Sequence, residues 1–542
     1  MKLLNIAIMA IISSTFLNAA NLENIKIDTQ ELRATTDTKP GNTLYVFDCQ
    51  ADIIIKSGSD NKIDVKATIE TGEMADEARK RFSEQTSLSL KAYKGGYRLI
   101  LKTPEPNSIS GQTSFIKRLF SVVSGDDAFA ISRNLEIEIP ADQSVIIDNK
   151  YGDISVNDIS GEIEISNQSG DVYLNRNQGK AKINNEYADI IMNRHKGDIT
   201  IEGTSSKISL EAIEGSATVV NNYKPVHVFD IRGDFSLSGT SIELDAKEIS
   251  GKCHVKNSYK PIKLQNIGGA VELYGTSMDI TIIKADSDVT IKGSYKPIRL
   301  ENIAGNLNIS TTSATIDVKK VNGNVDIKNA YKDIILAGVG GIIDIDSDSS
   351  PINISDAKKD ITIEASYKPV EIKNAGGNLT IVGNSCDIVM DNIAGDTDIV
   401  NFYKPINGVD MGGKVKINGS SCSVLLTNVQ NDIDIKNEYK YVVLKGTHGS
   451  VKIRGNSSPV EISDIKSIPD NGVIEIFTTY KSVKLGLPSE TDAQIAAYSE
   501  YGDIKSDFPV FFMDEGMPRF DSKKAGPKVQ IETTSDIYIT RQ

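Results

Sequence analysis

The chain has 542 residues, a formal net charge of −13 and a pI near 5.1. That balance argues against non-specific nucleic-acid binding, which needs a basic footprint. Four cysteines at this length are too few for a disulfide framework. One compact core is not expected at this size, so several domains or a repeat array should be present.

Residues 1–20 read as a secretory signal peptide. Lys2 precedes the apolar run Leu3 to Ile12, and small residues end the segment at Asn18-Ala19-Ala20. The apolar core is too short to span a bilayer, and the small residues suit cleavage after Ala19 or Ala20. No cysteine lies near that point to carry a lipid anchor, and no later run is apolar enough to cross a membrane. The mature chain is expected in the periplasm, at the cell surface or outside the cell.

Residues 21–140 read as a β-rich capping region with short helices. Strand-like runs cover Leu44 to Phe47, Asp52 to Lys56, Lys62 to Ile69, Tyr97 to Lys102 and Asn134 to Ile139, with a helical stretch from Glu73 to Glu84. A second helical stretch puts Phe115, Ile116, Leu119, Phe120 and Val123 on one face. The expectation is that it caps an exposed strand edge. Lys117 and Arg118 beside that face leave a membrane-surface or partner-docking role open.

Residues 141–505 are a repeat. Tyr151, Tyr187, Tyr223, Tyr259, Tyr295, Tyr331, Tyr367, Tyr403 and Tyr439 recur with a constant 36-residue period. Half a period after each stands a serine, from Ser169 to Ser457. Each 18-residue half-unit runs apolar-x-apolar, two residues, apolar-x-Gly-x, then apolar-x-apolar and a polar corner. Alternation of period two marks strands with one buried face, and the Gly, Asn, Ser and Asp clusters mark corners. Such short strands cannot bury that face alone, so half-units must stack. The predicted fold is an all-β parallel β-solenoid (β-helix or β-roll-like). Roughly 20 coils between Asp148 and Asp507 at about 4.8 Å each would span roughly 95 Å.

An 18-residue turn would alternate Tyr and Ser along one edge; a 36-residue turn would put them on opposite edges. We favour the shorter turn, because alternating large and small residues suit a crowded edge, each ring lying over the small residue of the next coil. Cys386 and Cys422 are also separated by one 36-residue period. In 18-residue turns their α-carbons would be about 9.6 Å apart, beyond the roughly 4.4–6.8 Å of a disulfide. Both are expected to be free thiols. Past Tyr480 the period loosens, and residues 506–542 read as a C-terminal cap, with Val529, Ile531, Ile537 and Ile539 in a last coil.

The run Leu135-Glu136-Ile137-Glu138-Ile139-Pro140, followed by Tyr151-Gly152-Asp153-Ile154-Ser155-Val156, Ile159-Ser160-Gly161 and Ser169-Gly170-Asp171-Val172, resembles the bacterial adhesin β-strand-repeat domain of head GIN type. That family is a domain of unknown function. The resemblance covers roughly residues 40 to 540 and is clearest from 134 to 215. It implies an adhesin-like solenoid at the envelope or secreted, and brings no catalytic residues. This chain departs from the pattern by placing Tyr-Lys where alternate coils of relatives tend to have Ser-Gly, and by its many coils.

Catalytic chemistry is not expected. His195, His227, His254 and His448 fall at different phases of the repeat and are read as surface residues. No phosphate-binding loop, nucleotide fingerprint, nucleophile elbow or Cys-x-x-Cys pair occurs. Asp344, Asp346 and Asp348 share a strand face but lack the Gly and distal Glu of a calcium loop, so they read as a solvated face. No metal, cofactor or catalytic residue is expected.

The residues singled out are Tyr223, Lys224, Tyr259, Lys260, Tyr295, Lys296, Tyr367, Lys368, Tyr403 and Lys404, each pair usually followed by Pro. Asn stands two residues before most of the repeat tyrosines. Structurally, Asn would make the turn, Pro stiffen it, Tyr cover the edge and Lys keep the surface soluble. Functionally, the row would engage a repeating partner: a glycan, an envelope polymer or a host or cell-surface component. The leading expectation is a non-enzymatic, adhesin-like binding or scaffold protein. The alternatives are a purely structural envelope rod and a polysaccharide-degrading enzyme on the solenoid.

Overall fold

The computed structural model describes residues 27–72, 74–104, 131–512, 520 and 526–542. The chain is nearly all β, 62% strand and 2% helix, with parallel coils of about 18 residues stacked in a β-solenoid of about 18 turns. It divides into two compact units, residues 1–179 and 180–542. The signal-peptide segment and the amphipathic stretch Phe115 to Val123 lie outside the described residues.

The first unit contains two sheets that mix strand directions. In one, Ile27–Asp37 pairs antiparallel with Lys62–Gly72, which pairs antiparallel with Ile131–Pro140. Ile131–Pro140 runs parallel to Asp52–Gly58, and from there Ile154–Asn157 and Val172–Asn175 stack in parallel. In the other, the hairpin Ser87–Tyr93 and Gly96–Lys102 leads to Thr43–Phe47, Ser144–Tyr151 and Ile163–Ser169, all in parallel. The helix is Asp76–Gln85, close to the expected stretch, with Asp76 and Glu77 in its first turn, where the helix dipole favours them.

Two strands of this unit were not expected. Ile27–Asp37 has no buried residue along its length, and neither has Ser87–Tyr93. Ile27–Asp37 lacks the apolar alternation that marks a strand in a sequence, whereas Ser87–Tyr93 carries it at Leu88, Leu90 and Ala92 and was legible there.

The second unit is the repeat. Consecutive turns pair in parallel with residue i opposite i+18, as Ile298 with Ile316 and Leu307 with Val325. Each turn contributes one strand to each of two sheets, for example Ile298–Ile303 and Leu307–Ser310. The pattern of apolar residues follows from one backbone event per turn. Ile298 and Leu300 point inward by simple alternation; then Asn302 adopts a left-handed conformation (φ 59°), which resets the phase so that Ile303 is buried. The same column holds Asn266, Asp356, Asn374, Asn392, Asp410 and Asn428, residue types that tolerate positive φ.

Just past this column, at the corner between the two sheets, the Gly-Asp step has a structural purpose. A Cβ on Gly395 would lie 2.4 Å from the Gly377 carbonyl oxygen, so glycine lets these turns approach most easily, although Ser287, Lys359 and Asn431 stand at the equivalent position elsewhere. The next side chain bonds across turns: Asp396 Oδ1 accepts from the Lys414 N–H (2.8 Å), and the Asp396 N–H donates to Asn378 Oδ1 (2.9 Å). This ladder satisfies backbone donors that the tight corner would otherwise leave unpaired.

The end of the second unit departs from chain order. A loop lengthens the step there, so that Val451 pairs with Ile474. Lys528–Thr533 then lies between Val473–Phe477 and Gln494–Ser499. Likewise Ile537–Arg541 lies between Val483–Leu487 and Ile504–Ser506. Val529, Ile531, Ile537 and Ile539 do form a coil, but it is inserted inside the stack rather than added at its tip.

Candidate functional site

The corner that carries the repeat tyrosines comes in two alternating forms, and the 18-residue turn places them one above the other. In the tyrosine form, an asparagine two residues before the ring is buried: Asn221, Asn257, Asn329, Asn401 and Asn437 are at most 6% exposed. Asn401 shows its use. Nδ2 donates to the Cys386 carbonyl (2.7 Å) and the Lys404 carbonyl (3.4 Å), and Oδ1 accepts from the Cys386 N–H (3.2 Å). Asn257 brackets Ile242 and Asn329 brackets Ala314 in the same way. The asparagine therefore clamps the preceding turn besides shaping its own.

In the serine form, glycine generally takes the place of the asparagine, and the residue after the serine turns inward. Ser206, Ile242, Met278, Ala314, Ser350, Cys386, Cys422 and Ser458 are all buried there. A Cβ on Gly383 would stand 2.8 Å from Asn401 Oδ1. The 36-residue period is thus largely an alternation of buried asparagine and glycine, broken at Gly293, Thr311, Ser347 and Ala365. The expectation that each ring lies over the small residue of the next coil is corrected, because the rings stay largely in solvent while the crowding is internal. The 18-residue turn itself holds. Cys386 and Cys422 lie two turns apart as buried free thiols.

Tyr223, Tyr259, Tyr295, Tyr367 and Tyr403 are 52–68% exposed, and Lys224, Lys260, Lys296, Lys368 and Lys404 are exposed beside them. All ten residues lie on one edge of the second unit, with Tyr331 and Lys332 continuing the row. Two turns separate successive pairs, about 9.6 Å at the usual strand spacing. No carboxylate lies within 4.0 Å of any of these ammonium groups among the described residues. The alternate turns offer half-buried Ser241, Ser277, Ser385 and Ser421.

The backbone of the row was not legible in the sequence. Tyr223, Tyr259, Tyr331, Tyr367, Tyr403 and Tyr439 all have φ between 63° and 71°. A bulky residue in this region is a true outlier, costing on the order of 1–2 kcal/mol relative to the right-handed alternative. The chain fills its other left-handed column with Asn, Asp or Gly at most turns and with Arg176, Arg194, Ala212, Glu248, Lys284 and Lys320 at the rest, but with no aromatic residue.

The remaining polar groups do not assemble a catalytic centre. His195 is 1% exposed, which corrects the expectation of a surface residue; it occupies the core column continued by Ile213 and Ile231. Aligning the turns on one another would have shown this. His254 Nδ1 lies 3.1 Å from Glu272 Oε2. Asp344, Asp346 and Asp348 are exposed along one strand. Among the described residues no group of three or more His, Cys, Asp or Glu is placed to hold a metal ion. An open groove of about 650 Å³ lies along the outer face of one sheet from Asn378 to Val473. Four of its charges form two pairs, Lys416 with Asp398 at 2.8 Å and Lys414 with Asp432 at 3.7 Å.

No family model and no curated protein matches this chain.

Proposed function

We propose that the protein is an exported, non-enzymatic, adhesin-like scaffold that uses its Tyr-Lys edge to hold a repetitive partner. The observation that carries this reading is the left-handed tyrosine. Strained residues persist where something other than local stability keeps them, and they cluster at functional positions. Asn or Gly would make the same corner more cheaply, and the rings contribute little burial. A ring held outward offers a flat apolar face with a polar tip, beside an unpaired ammonium group.

The test is binding of the purified protein to glycans, matrix proteins and envelope polymers at low and high salt. Changing Lys260, Lys296 and Lys368 together to Glu should abolish a salt-sensitive interaction without changing the circular dichroism spectrum. Retained binding would remove the edge from the reading. The purely structural alternative draws support from the asparagine clamp, which accounts for the 36-residue period without any ligand. A blank across the panel, with loss of envelope integrity on deletion, would favour it.

A further inference from the structure

The charges on the edge have a periodicity of their own, and it selects a ligand. Two residues after the corner serines stand Glu243, Asp279 and Asp387, with the uncharged Thr315 and Pro351 in the turns between Asp279 and Asp387. The Glu243 carbonyl accepts from the Val226 N–H, and the Leu244 N–H donates to the Pro261 carbonyl, so Glu243 sits between Pro225 and Pro261 along the stack. From Lys224 to Lys296 the edge therefore reads Lys224, Glu243, Lys260, Asp279, Lys296, with opposite charges in consecutive turns, and Asp387 repeats the pattern between Lys368 and Lys404. Asp279 is engaged by Arg299 at 3.1 Å, whereas Glu243 and Asp387 are exposed.

Resting on the reading of the edge as a contact surface, we propose that its ligand is a linear acidic polysaccharide with one carboxylate per disaccharide. Two turns, about 9.6 Å, match the length of an extended β-linked disaccharide. Each ammonium group then meets one uronate, and each tyrosine ring meets the apolar face of a pyranose. A polymer charged on every sugar would bring its second carboxylate against Glu243 or Asp387. Nucleic acid, with a phosphate about every 3.4 Å along a strand, fits worse for the same reason.

The experiment compares the full-length protein on hyaluronan, which has one carboxylate per disaccharide, with polygalacturonate, which has one per sugar, and with neutral dextran. Hyaluronan should bind at least about tenfold more tightly than polygalacturonate, weaken with salt, and be lost in the Lys260→Glu/Lys296→Glu variant. The Glu243→Lys/Asp387→Lys variant should close the gap by gaining affinity for polygalacturonate. Equal binding of both acidic polymers, abolished by the lysine changes, would overturn the periodicity while leaving the edge as the contact surface. Binding to neither polymer, or binding that the lysine changes do not touch, would overturn the proposal; in the latter case the edge itself falls.

Discussion

The tyrosine and serine corners of the second unit solve the same backbone problem with different residues. Both bend the chain between sheets through a left-handed residue: Tyr403 has φ 67° and Ser421 has φ 60°. In the serine corner the following residue, Cys422, is buried, so the corner adds to the core. In the tyrosine corner the following Lys404 is exposed, and Asn401 supplies the interior polar clamp instead. One corner is built for packing, the other for holding a ring and an ammonium group in water. The difference teaches that where the interior asparagine is present it takes over the polar clamping of the corner, while Tyr295 and Tyr367 keep the same outward ring with Gly293 and Ala365 in its place.

The largest effect should come from removing that clamp. Asn401→Ala leaves the Cys386 N–H and C=O without their side-chain partner, and should cost about 3 kcal/mol in urea unfolding. A loss below about 0.5 kcal/mol, within the range of ordinary surface substitutions, would break the comparison.

A natural exception sharpens it. Before Tyr367 the clamp position holds Ala365, and the buried Ser350 Oγ in the preceding turn has no hydrogen-bond partner. Ala365→Asn should restore the bracket and raise stability by about 1 kcal/mol, read as a higher urea midpoint. An unchanged midpoint would mean that the clamp at Asn401 does not transfer to this turn.

A smaller change isolates the outward half of the corner. Tyr403→Asn puts a residue that tolerates positive φ in the same place. It should leave stability unchanged or raise it by up to about 1 kcal/mol, while weakening any ligand held by the row. Clear destabilisation would show that the ring has structural work of its own.

The buried thiols give a pH-dependent contrast. Burial pushes the Cys253 thiol from its ordinary 9.0 up to about 12. The folded state favours the protonated thiol, so this contribution is fully present below pH 9 and is lost as pH rises from 9 towards 12. Cys386 and Cys422 shift in the same direction, again mainly through burial. Melting temperature should therefore decline above pH 9, and a Cys253→Ala variant should decline less.

Much of the repeat was readable without coordinates. The 36-residue recurrence of tyrosine, its halving by serine and the apolar alternation led to 18-residue turns and to free Cys386 and Cys422. The candidate residues from Tyr223 to Lys404 do share one edge. Less was readable where no strong apolar pattern existed, as in Ile27–Asp37; Ser87–Tyr93 alternates at Leu88, Leu90 and Ala92 but was passed over, and His195 was judged by residue type rather than by its column.

What the amino-acid sequence determined alone was the period and the apolar alternation within each half-unit, because stacking repeats this chemistry at each step; between turns of 18 and 36 residues it favoured the shorter without deciding. Only the tertiary structure decided how the corners work. A left-handed φ at tyrosine, a clamp reaching back into the preceding turn and a glycine favoured by the neighbouring turn's backbone are contacts between turns, not properties of a segment. The placement of Lys528–Thr533 inside the stack follows the same rule. Its apolar pattern suits any position in a parallel stack, so only the pairing with its neighbours could select one.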